Sequence, residues 1–360
     1  MREKLKVLGF GALLVVVWGG GFLWVRGDLR PSAASAHPSR SASATVAPEV
    51  AAAPTDAAAA GAAAKTYTGK VSRRDERKPS GVNPALRRPA PRVLPPVATF
   101  NMATFNLLGS SHTRAGGEHA GMRTGQQRMN GALQILAQHQ ISVVGLQEFQ
   151  PDQRAAFRNR AIGWEMYPGL SMGRRAGENS VAWRSDTWEM VKPGLIPIPY
   201  FNGHQRPMPY VLLRNKQTGV QAYFADFHNP ADTGPYQHQQ RYRTAATTRE
   251  IGLFNQLVAT GIPVFVTGDM NERAEYFCRV TGATPLKAAA GGSVGGGCRP
   301  PQPTQIDWIF GSPEVTFTGY TIDRSGLVRS TTDHPVVVTH VVLDAIKFKN
   351  AYNPSTSPTP

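Results

Sequence analysis

The sequence predicts an α/β domain in which two mixed β-sheets pack face to face with helices outside. Three observations carry that expectation. Strand-like runs outnumber amphipathic helical stretches. Not every strand is followed by a helix, which argues against a purely parallel doubly wound sheet. Several strands also end in a polar residue, as open α/β sheets do where they bind ligands. The clearest case is Pro263 to Glu272, PVFVTGDMNE, where a short apolar run is ended by Gly268-Asp269-Met270-Asn271.

The amino end is a different kind of chain. The protein has 360 residues and a net charge of +15. Val7 to Val25 is an uncharged apolar run preceded by Arg2, Lys4 and Lys6. Its length suits a membrane span, and the flanking cations keep the amino end cytoplasmic. We expect residues 1–25 to be an uncleaved single-pass anchor. A cleaved signal peptide is the rival, with Ala34-Ser35-Ala36 as its site, and would make the protein secreted. From Arg26 to Pro96 the composition turns to Ala, Pro, Ser and Thr, the signature of a disordered tether. Its basic cluster, Arg73 to Arg92, reads as a solvated linker, with contact to an anionic polymer as the alternative.

The folded domain is expected over residues 97–345. Val97 to Asn106 alternates and carries aromatics, so it reads as a strand. A helix follows from about Gly125 to Gln140, with Met129, Leu133, Leu136 and Ala137 on its apolar stripe. Val143 to Leu146 is the next strand and delivers Gln147-Glu148. Further strands are expected at Asn179 to Arg184, Met208 to Arg214 and Val220 to His228, with a hairpin loop at Asn215 to Gly219. Asp226 and His228 share one face by the two-residue period. A long helix, about Gln239 to Ala259, leads into Val264 to Thr267. Gln305 to Phe310, Val315 to Ile322 and Pro335 to Leu343 complete the strands. Residues 346–360, rich in Pro, Ser and Thr, are expected to fray.

Asp269 and Asn271, two residues apart just past a strand, would face one small volume. A carboxylate there orients a water or holds a cation, and an amide donates to an anionic oxygen. The bland alternative is a loop in which both merely make turn hydrogen bonds. Asn106, Glu148, His228, Asp307, Asp333 and His334 stand in comparable places. Asp307 lies inside an apolar strand, where an unpaired carboxylate is costly. Together they supply hard oxygen ligands for Mg²⁺, an Asp–His pair for protons and amides for phosphate.

On these motifs the chain resembles the endonuclease/exonuclease/phosphatase superfamily, over about Val97 to Leu343. Thr104-Phe105-Asn106, Gln147-Glu148, Phe227-His228, Gly268-Asp269-Met270-Asn271, Asp307 and Thr332-Asp333-His334 follow the family's order. The resemblance implies a four-layered sandwich of two mixed sheets flanked by helices. It implies Mg²⁺, with Mn²⁺ or Ca²⁺ as alternatives, at Asn106, Glu148 and Asp333. It implies catalytic roles for His228, Asp269, Asn271, Asp307 and His334. Leu108 stands where some repair nucleases of the family carry Asp, so abasic-site repair is not expected. Asn179 and Arg184 are expected to line the cleft and bind substrate.

Three functions stay open at this point: a nuclease, a phosphoesterase for lipid headgroups or small phosphates, and a non-catalytic binding domain. Charge favours the first. Fifteen of the 39 Lys and Arg, and six of the 24 acids, precede Val97, leaving the rest near +6. A basic balance suits a polyanion, and Arg174, Arg175, Arg241, Arg243 and Arg249 are candidates to track phosphates. Pro197 to Tyr210, read as an aromatic, Pro-rich loop, suits lipid instead. Cys278 and Cys298 are the only cysteines. Outside the membrane they are expected to form a disulfide, worth roughly 3 kcal/mol for a loop of about twenty residues.

Overall fold

The computed structural model describes residues 96–172 and 178–352. The expected anchor at Val7 to Val25, the tether up to residue 95, Arg174, Arg175 and the last eight residues lie outside the described residues.

Among the described residues, twelve strands form two six-stranded mixed sheets. They are β1 (Val97–Asn106), β2 (Ile141–Gln147), β3 (Trp164–Tyr167), β4 (Ser180–Arg184), β5 (Trp188–Pro199), β6 (Gln205–Asn215), β7 (Gln221–His228), β8 (Val264–Asp269), β9 (Lys287–Ala288), β10 (Asp307–Gly311), β11 (Thr316–Asp323) and β12 (Val336–Asp344). The first sheet has the order β11-β12-β1-β2-β4-β3, and the second β5-β6-β7-β8-β10-β9. One parallel pair sits in each sheet, β1 with β2 and β7 with β8. The helices are α1 (Ser110–Thr113), α2 (Gly125–Gln138), α3 (Pro151–Arg160), α4 (Gln240–Ala259), α5 (Ala274–Ala283) and α6 (Gly326–Thr331).

Three apolar layers hold the sandwich together. Between the sheets lie Phe100, Met102, Val143, Trp183, Trp188, Phe224 and Phe265, among others. Phe100 meets Trp188 edge-on with ring centroids 5.0 Å apart. The outer face of the first sheet packs Phe105, Val144 and Leu146 against Met129, Leu136 and Phe157 of α2 and α3. The outer face of the second packs Phe227 and Val266 against Phe254 of α4 and Phe277 of α5. Each fully buried aromatic or aliphatic side chain contributes about 1.5–3 kcal/mol. The predicted helix α2 starts where Thr124 and Gln127 form a capping box: the Gln127 N–H donates to Thr124 Oγ1 at 3.3 Å, and the Thr124 N–H to Gln127 Oε1 at 3.1 Å.

Two expectations fail. The stretch Pro197 to Tyr210 is not a loop but the tip of the β5–β6 hairpin, with Pro197 opposite Pro207 and Leu195 opposite Pro209. Its prolines are tolerated because β5 is an edge strand and β7 pairs with β6 only from Tyr210 onward. The chain past Asp344 also stays packed as far as Tyr352. Ala351 is fully buried, its carbonyl accepts from the Gln221 N–H at 2.7 Å, and Phe348 and Tyr352 cover the inter-sheet layer. Cys278 of α5 and Cys298 are joined, Cα–Cα 5.7 Å.

Candidate active site

Strand alternation builds the site. On β1, Ala98, Phe100 and Met102 face the opposite sheet, and the same parity continues to Thr104 and Asn106. On β7, Ala222 and Phe224 are followed by Asp226 and His228; on β8, Phe265 by Thr267 and Asp269. The inter-sheet layer is therefore apolar at one end and polar at the other. Register aligns the polar ends: Asn106 pairs with Gln147, His228 with Asp269, and Asp307 with Asp269. A cavity of about 390 Å³ opens there, lined by Glu148, His228, Asp269, Asn271, Asp333 and His334 among others.

The floor of the cavity is buried. His334 Nδ1 lies 3.0 and 3.1 Å from the two carboxylate oxygens of Asp307. Its Nε2 lies 3.6 Å from Asp269 Oδ2, and so does Nε2 of His228. Burial alone would lower the His334 pKa, but Asp307 and Asp269, with Asp333 behind them, push it up to about 11. Asp307 thus orients the ring and, with Asp269, keeps it charged. Burial raises Asp269, reinforced by Asp307 and opposed by the two histidines. Burial lowers the His228 pKa against the opposing pull of Asp269 and Glu148, and Tyr200 Oη sits 3.3 Å from its Nδ1. The Asn271 N–H donates to Asp269 Oδ1 at 3.0 Å, and the Asn271 side-chain amide to the Asn229 carbonyl at 2.8 Å.

The other wall is open. Burial would raise Glu148, yet its pKa is lowered by His228, by the Gly109 N–H at 2.8 Å, by Asn106 and by His112. Asp333, about a third exposed, lies 3.3 Å from His119 Nε2, and His112 Nε2 lies 3.4 Å from Glu148. Asn106 bridges the walls: its Nδ2 donates to Glu148 at 3.0 Å and to Asp269 at 3.1 Å, while its Oδ1 accepts from the Leu108 N–H at 3.0 Å. The amide expected beside the cation thus donates to, and positions, two carboxylates. Glu148 and Asp333 are anionic oxygen donors facing one cavity, a donor set that fits a hard divalent cation. Asp269, Asp307 and His334 also lie close enough together to grip an ion. Both ring nitrogens of His334 already face carboxylates there, which is the arrangement of a proton relay.

Buried side chains beneath the cavity hold these groups in place. Asp226 is fully buried beneath the floor and accepts from Gln147 at 2.5 Å, Thr267 at 2.9 Å and Asn179 at 3.1 Å. Burial outweighs these donors and pushes its pKa up to about 8. The guanidinium of Arg128, on α2, donates to the carbonyls of Leu107, Leu108 and Thr331, tying the end of β1 to the segment that carries Asp333. Leu108, Glu148 and Asn271 all have positive φ, at 52°, 53° and 49°. Such strain costs about 1–3 kcal/mol each and gathers at functional sites.

Two substrate-binding expectations are corrected. Asn179 is buried against Asp226 below the cavity. Arg184 ends β4 at the opposite edge, because β4 runs antiparallel to β2, and pairs with Asp186. Of the phosphate-tracking candidates, Arg243 is buried on the Pro230 carbonyl and Asp232, and Arg249 binds the Pro197 carbonyl. Sequence reasoning missed His112, His119, Glu178, Tyr200, Arg206 and Tyr236. Only their aromatic and charged character next to turns could have flagged them.

Comparison with known proteins bears on the family and the fold. The profile of the Endonuclease/Exonuclease/phosphatase family matches residues 103–334. No curated protein matches in sequence. Among solved structures, an endonuclease/exonuclease/phosphatase family protein from Bacteroides thetaiotaomicron is 18% identical, with a TM-score of 0.53 over 69% of this chain and 99% of its own. D. rerio TDP2 humanized by 14 mutations is also 18% identical, with a TM-score of 0.51 over 68% and 98%. A mannosyl-6-phosphatase from B. thetaiotaomicron VPI-5482 gives 18%, 0.50, 68% and 100%. At these identities the likeness establishes the fold.

Proposed function

The chain belongs to the endonuclease/exonuclease/phosphatase family, and from that premise we propose that it is a divalent-cation-dependent phosphodiesterase that hydrolyses nucleic acid. The observation that carries the reading is the buried Asp307–His334–Asp269 line, set opposite the open Glu148–Asp333 wall of one cavity. Glu148 and Asp333 would hold the cation, and its chemistry there is to neutralise charge on the phosphate. Asp269, with its proton affinity raised by burial, orients a water and takes its proton as the water attacks phosphorus in line; the P–O bond opposite the water breaks, and its oxygen leaves with a proton from solvent. His334, charged and held through Nδ1 by Asp307, offers Nε2–H to the developing phosphoryl charge. The Asn271 amide has a second hydrogen to donate to a phosphate oxygen. The basic balance of residues 97–360 favours a polyanion over a neutral lipid surface.

We also infer that the catalytic domain is displayed on the outer face of a membrane. The apolar run Val7 to Val25 behind a basic amino end supports this, as does the Cys278–Cys298 pair, which suits an oxidising compartment. Protease added to intact cells should release an active fragment by cutting within residues 26–96; release only after lysis overturns the topology.

The decisive assay compares double-stranded DNA, single-stranded DNA, RNA, sphingomyelin and nitrophenyl phosphates, with Mg²⁺ and with excess EDTA. Cleavage of nucleic acid that EDTA abolishes is the expected result. Cleavage of the lipid or the small ester alone would replace the substrate class. Full activity in EDTA would remove the cation.

A further inference from the structure

Beyond Tyr210 the β5–β6 hairpin leaves its sheet. The pairs from Leu195–Pro209 to Pro199–Gln205 have no β7 partner, so a two-stranded ribbon projects past the cavity. Its tip turns through Phe201–Gly203 and is braced from behind: the Asn202 N–H donates to Gln239 Oε1 at 3.0 Å, and Arg249 to the Pro197 carbonyl at 2.9 Å. An unsupported ribbon would be marginal in water, so the brace makes this wall a fixed surface.

That surface is aromatic and cationic. The rings of Phe201 and Tyr236 are stacked, with centroids 4.2 Å apart and planes at 8°. Tyr200 sits 4.5 Å from Phe201, and the Arg206 guanidinium lies 3.8 Å over the Tyr200 ring. Arg206 also donates to Glu178 at 2.9 Å, which fixes the guanidinium in place. These residues line the catalytic cavity and also a second cavity of about 390 Å³ beside it. Phe201 and Tyr236 are both only half-buried. A ring pair kept partly in water at the mouth of an active site forgoes burial energy that the core would have taken.

We propose that Phe201 and Tyr236 form a stacking subsite that seats an unpaired nucleobase next to the scissile phosphate, making single-stranded nucleic acid the preferred substrate. The inference rests on the nuclease reading above and narrows it. Aromatic side chains accept any base by its π-face and so add affinity without reading sequence. Within a duplex both faces of a base are covered by its neighbours, so the subsite is closed to paired nucleotides. Tyr200 links the two functions, with its ring against Phe201 and its hydroxyl at His228.

The test uses the full-length protein with Mg²⁺ and three substrates: a single-stranded DNA oligonucleotide, the same oligonucleotide with abasic sites flanking the cut, and its duplex. Wild type should prefer the single strand by about tenfold or more over either of the others. Tyr236→Ala should raise KM on the intact single strand by about tenfold, with kcat nearly unchanged, and leave the abasic substrate unaffected. Tyr236→Phe, which keeps the ring, should restore KM. Quenching of a 2-aminopurine base on binding to the His334→Gln protein, lost when Tyr236→Ala is added, gives a readout free of turnover. Equal losses on intact and abasic strands, or no loss on either, would overturn the subsite while leaving a working nuclease. If wild type cleaves none of the three, the nuclease reading itself falls, and the subsite with it.

Discussion

The two walls of the cavity are built on opposite plans. The floor is dry: Asp269 and Asp307 of the second sheet are almost fully buried, and His228 of that sheet and His334, which reaches across from the segment before β12, each lie 3.6 Å from Asp269. The wall on the first sheet is wet: Asp333 keeps about a third of its surface, and His112 and His119 are exposed to a similar degree. In low dielectric a small displacement of charge matters greatly, while in water it is screened. The difference teaches where each kind of chemistry fits best: proton transfer suits the floor, where burial raises Asp269 and the carboxylates raise His334, and an exchangeable ion suits the open wall.

The sharpest way to break that contrast is on the floor. His334→Gln should lower kcat by roughly 10³–10⁴-fold, and no concentration of Mg²⁺ or Mn²⁺ should restore it, as initial rates across a cation titration will show. Next comes the open wall. Glu148→Gln should cost about 10²-fold at low cation, and part of that loss should return as cation is raised. Cation-independent loss at Glu148 would mean that both walls work alike.

A smaller effect is expected below the floor. Asp226 titrates near 8 when folded, against roughly 3.9 unfolded. Its raised pKa means that stability is fully present below about pH 4 and is lost as pH rises towards 8. Asp226→Asn should flatten that decline, by a few kcal/mol between pH 4 and 8. Asn179, whose Oδ1 has no partner, can turn its amide to meet the new NH₂. Urea midpoints at both pH values read the difference. Smallest of all should be His119→Ala, which removes a half-exposed contact worth about 0–1 kcal/mol. Its melting temperature should stay within about 2 °C of wild type.

Much of this was legible in the sequence, for a physical reason. β1, β7 and β8 are central strands buried on both faces over much of their length, so they read as largely apolar runs, and their polar ends broke that pattern visibly. α4 was legible from the apolar stripe of its second half, Leu253, Phe254 and Leu257, although its first half buries Arg243, Thr247 and Glu250. What stayed hidden depended on tertiary context. The prolines of β5 read as loop because nothing local shows that a strand is an edge. α3 reads as polar because its buried face includes Gln153 and Arg154. Arg184 was placed in the cleft because sequence gives a strand's ends but not its direction. Asn179 lies one residue before the same strand, at the site's end, yet a layer too deep. The cleft wall of Tyr200, Arg206 and Tyr236 needed the hairpin register, which no single stretch contains.

One hydrogen atom has a wider consequence. A Cβ built on Gly145, midway along β2, would lie 2.0 Å from Thr267 Oγ1 and 2.2 Å from Asp226 Oδ1, across the gap between the sheets. Those atoms are buried and held by hydrogen bonds, so a methyl group there could be admitted only by levering the sheets apart. Each sheet carries half of the reacting groups. Gly145 therefore acts as the gauge of the whole device: the thickness of one backbone sets the bite of the jaws, and with it the size of the group that fits between Glu148 and Asp269.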